Sequence, residues 1–205
     1  MPLFDICFNF TSSKFRNDEE GYLKRASDAG VNHFLVAGSD QADSQFAIEL
    51  AQRYQKNMYA TVGVHPHLAK NWQNHTLSML QKMASNDRVK AIGEAGLDFN
   101  RNFSTHEQQE LAFRQQIELA ISLQKPLFLH ERDAHEKFFS ILSEYKNDIG
   151  PTVVHCFTGD SKALENYLSM DLYIGITGWI CDERRGYHLH ELVRTIPEDR
   201  LLIET

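Results

Sequence analysis

Long apolar runs are missing from this 205-residue chain. No stretch approaches the roughly 18 consecutive apolar residues of a membrane-spanning helix, so no membrane partner is expected. The first residues, Met1-Pro2-Leu3-Phe4-Asp5, carry neither a basic segment nor a long apolar stretch, so no signal peptide is visible. Cysteine is scarce. Cys7, Cys156 and Cys181 are odd in number and widely spaced, which fits reduced thiols better than a disulfide framework, and Cys156 and Cys181 are most simply small buried residues. These absences lead to the expectation of a cytoplasmic protein. Positive charge is also in deficit, with 21 basic against 28 acidic residues and a net charge of −7. A broad basic face for nucleic acid is therefore not expected. A few well-placed arginines would still suffice to hold a phosphate, because placement rather than the sum sets the local field. No linker, low-complexity tract or shift of composition divides the chain, so residues 1–205 are read as one domain. Its 42% hydrophobic and 24% charged content is ordinary for a globular protein.

What the chain does have is a repeated pattern. Three short apolar runs each end in a metal-ligand side chain: Val89-Lys90-Ala91-Ile92-Gly93-Glu94, Pro126-Leu127-Phe128-Leu129-His130 and Pro151-Thr152-Val153-Val154-His155. Similar strand-like runs cover Leu3–Phe10, His33–Gly38, Tyr59–Val64, Leu172–Ile176 and Leu201–Thr205. Helical patterns separate them, over Asp18–Ala29, Asp43–Gln55, Thr76–Ser85, Ala134–Tyr145, Lys162–Ser169 and His188–Arg194. Another begins at Ser104, read as an N-cap with Glu107 three residues on, and runs to about Leu123. Eight β units with helices between them predict an α/β fold, a (β/α)₈ TIM-type barrel. A doubly wound open sheet is the structural alternative. The pattern stops after the eighth strand, so the expected barrel lacks its final helix.

In such a barrel the carboxyl ends of the strands converge on one face. Glu94, His130 and His155 would then meet as an O/N ligand set for a divalent cation. Carboxylates suit Mg²⁺ or Mn²⁺ and imidazoles lean toward Mn²⁺ or Zn²⁺, so the donor types leave the metal open. His65-Pro66-His67 closes the third strand; in an extended tripeptide both imidazoles share a face, and His65 is the stronger functional candidate. Arginines gather in the expected loops: Arg101 after Asp98, Arg132 after His130, and Arg184-Arg185 after Cys181-Asp182-Glu183. Guanidinium groups beside a metal are what a phosphodiester requires. Phe157-Thr158-Gly159-Asp160 leads into a helix and offers backbone N–H groups to a phosphate. His188-Leu189-His190 falls in a helical stretch where i and i+2 diverge, which makes both surface residues.

The motifs Gly63-Val64-His65-Pro66-His67, Gly93-Glu94-Ala95-Gly96-Leu97-Asp98, Phe128-Leu129-His130, His155-Cys156-Phe157-Thr158-Gly159 and Leu202-Ile203-Glu204-Thr205 resemble the TatD-type metal-dependent deoxyribonucleases, over the whole chain. The resemblance implies a metallo-dependent hydrolase-like barrel, metal binding by Glu94, His130 and His155, and Mg²⁺-dependent 3′→5′ exonuclease action on single-stranded DNA or RNA ends, with a role in DNA repair. By this resemblance Mg²⁺ comes first, ahead of Mn²⁺ or Zn²⁺. Glu94 and His65 are the expected catalytic residues, with Arg101, Arg132, Asp98 and Arg184 on the substrate, in a monomer. Many relatives open with Asp-x-His-x-His, whereas this chain has Asp5-Ile6-Cys7-Phe8-Asn9, which argues against a full two-metal site. The family continues past Glu-Thr with an aspartate that faces the metal. The sequence stops at Thr205, from which a truncated chain with impaired water activation is expected. Two alternatives stand beside the nuclease: an amide or ester hydrolase, including removal of D-amino acids from tRNA, and an inactive remnant that only binds.

Overall fold

Eight parallel strands close on themselves in chain order, and the eighth returns to the first through the pair Asp5–Ile203. Closure removes both sheet edges and rules out the open doubly wound sheet. The computed structural model describes residues 2–12, 15, 18–184 and 186–205. Its elements are β1 (Leu3–Phe8), α1 (Glu19–Asp28), β2 (Val31–Val36), α2 (Gln41–Arg53), β3 (Met58–Val62), α3 (Thr76–Ala84), β4 (Val89–Asp98), α4 (His106–Leu123), β5 (Leu127–Arg132), α5 (His135–Glu144), β6 (Thr152–His155), α6 (Ser161–Ser169), β7 (Tyr173–Thr177), α7 (Leu189–Val193) and β8 (Leu201–Glu204). No helix among the described residues is long and apolar enough to cross a membrane.

Alternation along the strands builds two cores. Leu127 and Leu129 of β5 share the outer core with Val36, Val62 and Ile92 of the neighbouring strands and with Phe113, Ile117 and Phe138 from helices α4 and α5. Phe128 points inward and joins Ile6, Cys7, Leu35, Ala37 and Ala91 in the lower barrel interior. The next inward position on β5 is His130, one level above Phe128, where apolar filling gives way to titratable side chains.

Two local features differ from expectation. Strand β4 does not stop at Glu94 but continues to Asp98. Between the pairs Ile92–Leu127 and Ala95–Leu129, β4 advances three residues while β5 advances two, a bulge that re-aims the side chain it carries. Gly93 and Gly96 permit it, with φ of +146° and +143° in a region L side chains rarely enter. A Cβ at Gly93 would also sit 2.0 Å from the Phe128 carbonyl oxygen, and one at Gly96 1.9 Å from that of His130. Secondly, helix α4 is capped by Thr105 and Gln108 in a reciprocal capping box, not by Ser104 and Glu107. Ser104 turns away from the helix: its Oγ accepts from the Lys70 N–H and donates to the His67 carbonyl, both at 3.0 Å.

Candidate metal centre

The bulge on β4 delivers Glu94 to the barrel mouth, where one carboxylate oxygen meets three imidazoles. Its Oε1 lies 2.7 Å from His155 Nε2, 3.2 Å from His130 Nδ1 and 3.3 Å from His65 Nε2. His130 and His155 pair across β5 and β6 in register, which explains why two strand-end histidines reach one point. His65 arrives differently. Strand β3 ends at Val62, and Pro66 opens a 3₁₀ turn over Pro66–Asn71, so the tripeptide is not extended as expected. The two rings still converge, with centroids 4.3 Å apart. The His67 N–H donates to His65 Nδ1 at 3.1 Å, which leaves His65 Nε2 facing Glu94.

Further carboxylates stand behind the imidazoles. Asp98 Oδ2 is 2.7 Å from His67 Nε2 and 3.4 Å from His130 Nε2, while its Oδ1 accepts from the N–H groups of Asn100 and Arg101 at 3.0 and 2.8 Å. Glu204 Oε2 is 3.2 Å from His155 Nδ1, and its Oε1 accepts from the Cys156 N–H. His130 and His155 are each held between Glu94 and a second carboxylate, an arrangement that fixes ring orientation and raises ligand basicity. The pKa directions follow. Burial pushes the Glu94 carboxyl up, but His155, His65 and hydrogen bonds from His130 and His155 outweigh it and hold it well below the usual range. Burial likewise opposes the Asp98 carboxylate, yet His130, the Arg101 N–H and His67 keep it far down. Burial lowers His65. His155 is raised well above its ordinary value, because Glu94, Cys7 and Glu204 together exceed the burial effect.

Ligand atoms of His65, Glu94 and His130 all lie within 4.8 Å of one another, as do those of Cys7, His155 and Glu204. The side chains of Glu94, His65 and His130 remain 12% to 13% exposed, enough for an ion to enter from the mouth. A cation suits this donor set: one carboxylate held ionised, with imidazoles whose far nitrogens are already engaged.

A TatD-related DNase family model matches residues 4–205. The chain belongs to that family. The 3′-5′ ssDNA/RNA exonuclease TatD of Erwinia tasmaniensis is 49% identical over 203 residues, covering 99% of this chain and 78% of the relative. The crystal structure of a TatD homologue from Escherichia coli K12 superposes with a TM-score of 0.89 at 30% identity, over 99% of this chain and 78% of that one. A TatD family hydrolase from Entamoeba histolytica gives 0.89 at 29%, over 100% and 73%.

Within this family member, the site residues expected from sequence fall into two groups. Glu94, His65, His130, His155 and Asp98 are brought together; Asp98, 3% exposed, braces imidazoles rather than facing open space. Arg132 sits nearby, with Nη2 3.7 Å from Cys156 Sγ and its guanidinium over the Trp179 ring at 5.1 Å. Its Nε is buried and has no hydrogen-bond partner. Arg101 reaches Asp98 through its backbone only, with an exposed side chain. Arg184 is turned outward onto Asp182, and Arg185 lies outside the described residues. At the helix start after Phe157–Asp160 one N–H is already taken, since the Asp160 carboxylate accepts from the Ala163 N–H at 2.8 Å. Cys156 is half-buried and Cys181 exposed, against the expectation that both are buried. His188 and His190 are surface residues, as the helical spacing implies.

Sequence reasoning missed Glu204 and Cys7 as members of the cluster. Glu204 is the last residue of strand β8 and stands one before the end of the strand-like run Leu201–Thr205, so the strand-end rule that picks out Glu94, His130 and His155, applied with one residue of tolerance, finds it. Cys7 carries no such signal, because a buried cysteine in a strand reads as a small apolar residue. Burial pushes its thiol up to about 12, against the pull of His155.

Proposed function

We propose that this chain is a metal-dependent nuclease that hydrolyses phosphodiester bonds at the 3′ ends of single-stranded DNA or RNA, as the names of its relatives describe for those proteins. The observation that carries the proposal is the Glu94 oxygen ringed by three imidazole nitrogens. Glu94, His130 and His155 would hold the cation, with His65 beside them. A divalent cation bound there supplies charge against a phosphodiester and acidifies water for attack. Mg²⁺ is the ion the family resemblance favours, whereas the imidazole-rich donors favour Mn²⁺ or Zn²⁺.

The chain's own residues do the rest. Arg132, with its unpartnered buried Nε, would bind a phosphate oxygen. Asp98 holds His67 and His130 in place, and Glu204 does the same for His155, so the ligand rings need not reorganise when substrate arrives. Arg101, whose side chain is exposed, would steer the strand rather than grip the reacting phosphate, and Arg184, turned onto Asp182, would add at most to that long-range field. The unit acting is a single domain, and we place it as a monomer in the cytoplasm.

The test is the release of nucleotides from a 3′-labelled single strand by the purified chain with Mg²⁺, Mn²⁺ or Zn²⁺ in turn. Glu94→Gln is expected to keep the fold and lose at least about 100-fold in kcat, the scale of losing a site's central electrostatic group. Unchanged activity in that variant would move the active site elsewhere. Turnover of a cyclic amide with none of the oligonucleotide would replace the nuclease by an amide hydrolase.

A further inference from the structure

A single exposed apolar side chain needs no explanation in itself; what sets Phe103 apart is how and where it is held. Phe103 is 56% exposed, and it is not adrift. Ser104, its neighbour, bonds to both the Lys70 N–H and the His67 carbonyl, which clamps this loop onto the 3₁₀ turn after β3. On the other side Asn102 donates to the Phe99 carbonyl at 2.7 Å, and His106 Nε2 lies 2.8 Å from Asn102 Oδ1 while stacking on Phe99. The Phe103 ring meets His67 edge-on, with centroids 4.9 Å apart.

Phe103 is the outermost of a string of four rings. From His130 at the candidate metal centre the centroids step 4.6 Å to His65, 4.3 Å to His67 and 4.9 Å to Phe103. Phe103 also walls a cavity of about 470 Å³ whose other walls are Ser39, His65, His67, Leu68 and Lys70. That cavity opens from the metal centre, has one exposed aromatic face and carries an exposed lysine on its rim. Those are the parts a nucleotide needs: a platform for the base and a cation for the neighbouring phosphate.

We infer that Phe103 is a positioning residue which stacks a nucleobase next to the scissile phosphate, with Lys70 holding the adjacent phosphate, so that the bond to be cut rests at Glu94, His65 and His130. The inference builds on the nuclease assignment above and adds a cause for selecting base-bearing single strands, whose unpaired bases are free to stack. Stacking tolerates every base, because each has a π face, so no sequence preference is expected from it.

The experiment compares a single-stranded oligodeoxynucleotide with the same strand carrying tetrahydrofuran abasic residues at its last two 3′ positions. Phe103→Ala should raise KM on the normal strand roughly tenfold or more, the range of one lost base–aromatic stack, with kcat little changed. On the abasic strand the variant and the parent should be alike. Phe103→Trp should restore the normal KM, and all variants should share one thermal midpoint, since the ring is mostly in solvent. An equal loss on both strands, a loss in kcat alone, or no loss on either overturns the role given to Phe103 and leaves the nuclease standing. A parent chain that cuts neither strand with any of the three metals overturns both.

Discussion

A single oxygen of Glu94 serves three imidazoles, and that crowding has a consequence for protons. In the metal-free protein Glu94 is held well below 4.5 and His155 well above 6.5, so at neutral pH the two form a buried carboxylate–imidazolium pair. Glu94 contributes stability that is present above its unfolded pKa and lost as pH falls through the lower folded value. His155 contributes stability that is present below its unfolded pKa and lost as pH rises through the higher folded value. The pair therefore supports the metal-free fold most between those limits. His130 and His155 are both raised by the carboxylates around them, and a cation must displace their protons, so cation affinity should rise with pH across neutrality, with protons released as the ion binds. Titration calorimetry with Mn²⁺ in buffers of different ionisation enthalpy reads those protons directly. Release should fall in His155→Gln; undiminished release in that variant would show that the protons come from other groups.

At the scale of elements, helix α4 supports the site from behind with two glutamines that are fully buried. Gln116 accepts from the Val64 N–H at 2.8 Å and donates to the Val64 carbonyl at 3.1 Å, fixing the residue before His65. Gln109 does the same for Asp98, at 2.8 and 3.0 Å. Gln116→Leu orphans the buried N–H and C=O of Val64 and should destabilise by about 2–6 kcal/mol, since each orphaned group costs on the order of 1–3 kcal/mol. Urea unfolding measures it, and a change below about 0.5 kcal/mol would mean that Val64 finds other partners. These glutamines were not legible in the sequence, because a polar residue on a helix reads as solvated until the opposing strand is known. The strands themselves were legible from short apolar runs, and so was the convergence of Glu94, His130 and His155. The start of α4 was half legible. Ser104/Glu107 and Thr105/Gln108 both satisfy the capping pattern, and only the tertiary bonds of Ser104 to the Pro66–Asn71 turn decide between them. The β4 bulge was hidden for a similar reason: Gly93 and Gly96 announce freedom, not the slip against β5 that uses it.

Across the whole molecule, the barrel carries a net charge of −7 and is proposed to act on a polyanion, so attraction must be local. The ring closes where Asp5 of β1 accepts from the Thr205 hydroxyl at 2.9 Å, and closure gathers all strand ends on one mouth. Arg132 and Lys70 stand at that mouth, while Arg184 is paired with Asp182 and Arg114, on the outer helices, with Glu144. Binding that rests on about two neutralised phosphates should depend weakly on salt. For single strands the logarithm of affinity falls by about 0.7 per phosphate for each decade of salt, so the expected slope lies between about −1 and −2. Fluorescence anisotropy of a labelled single strand over a range of KCl concentrations measures it, with the inactive Glu94→Gln variant used to prevent cleavage. Lys70→Ala should flatten the slope by nearly one phosphate's share, whereas the outward-turned Arg114→Ala should leave it unchanged. A slope steeper than about −4 would require a basic track along the surface that the charge distribution does not provide, and it would move the substrate contacts away from the mouth. A shallow slope combined with tight binding would place the affinity in the cation and the base stack, where an acidic protein can hold an acidic substrate.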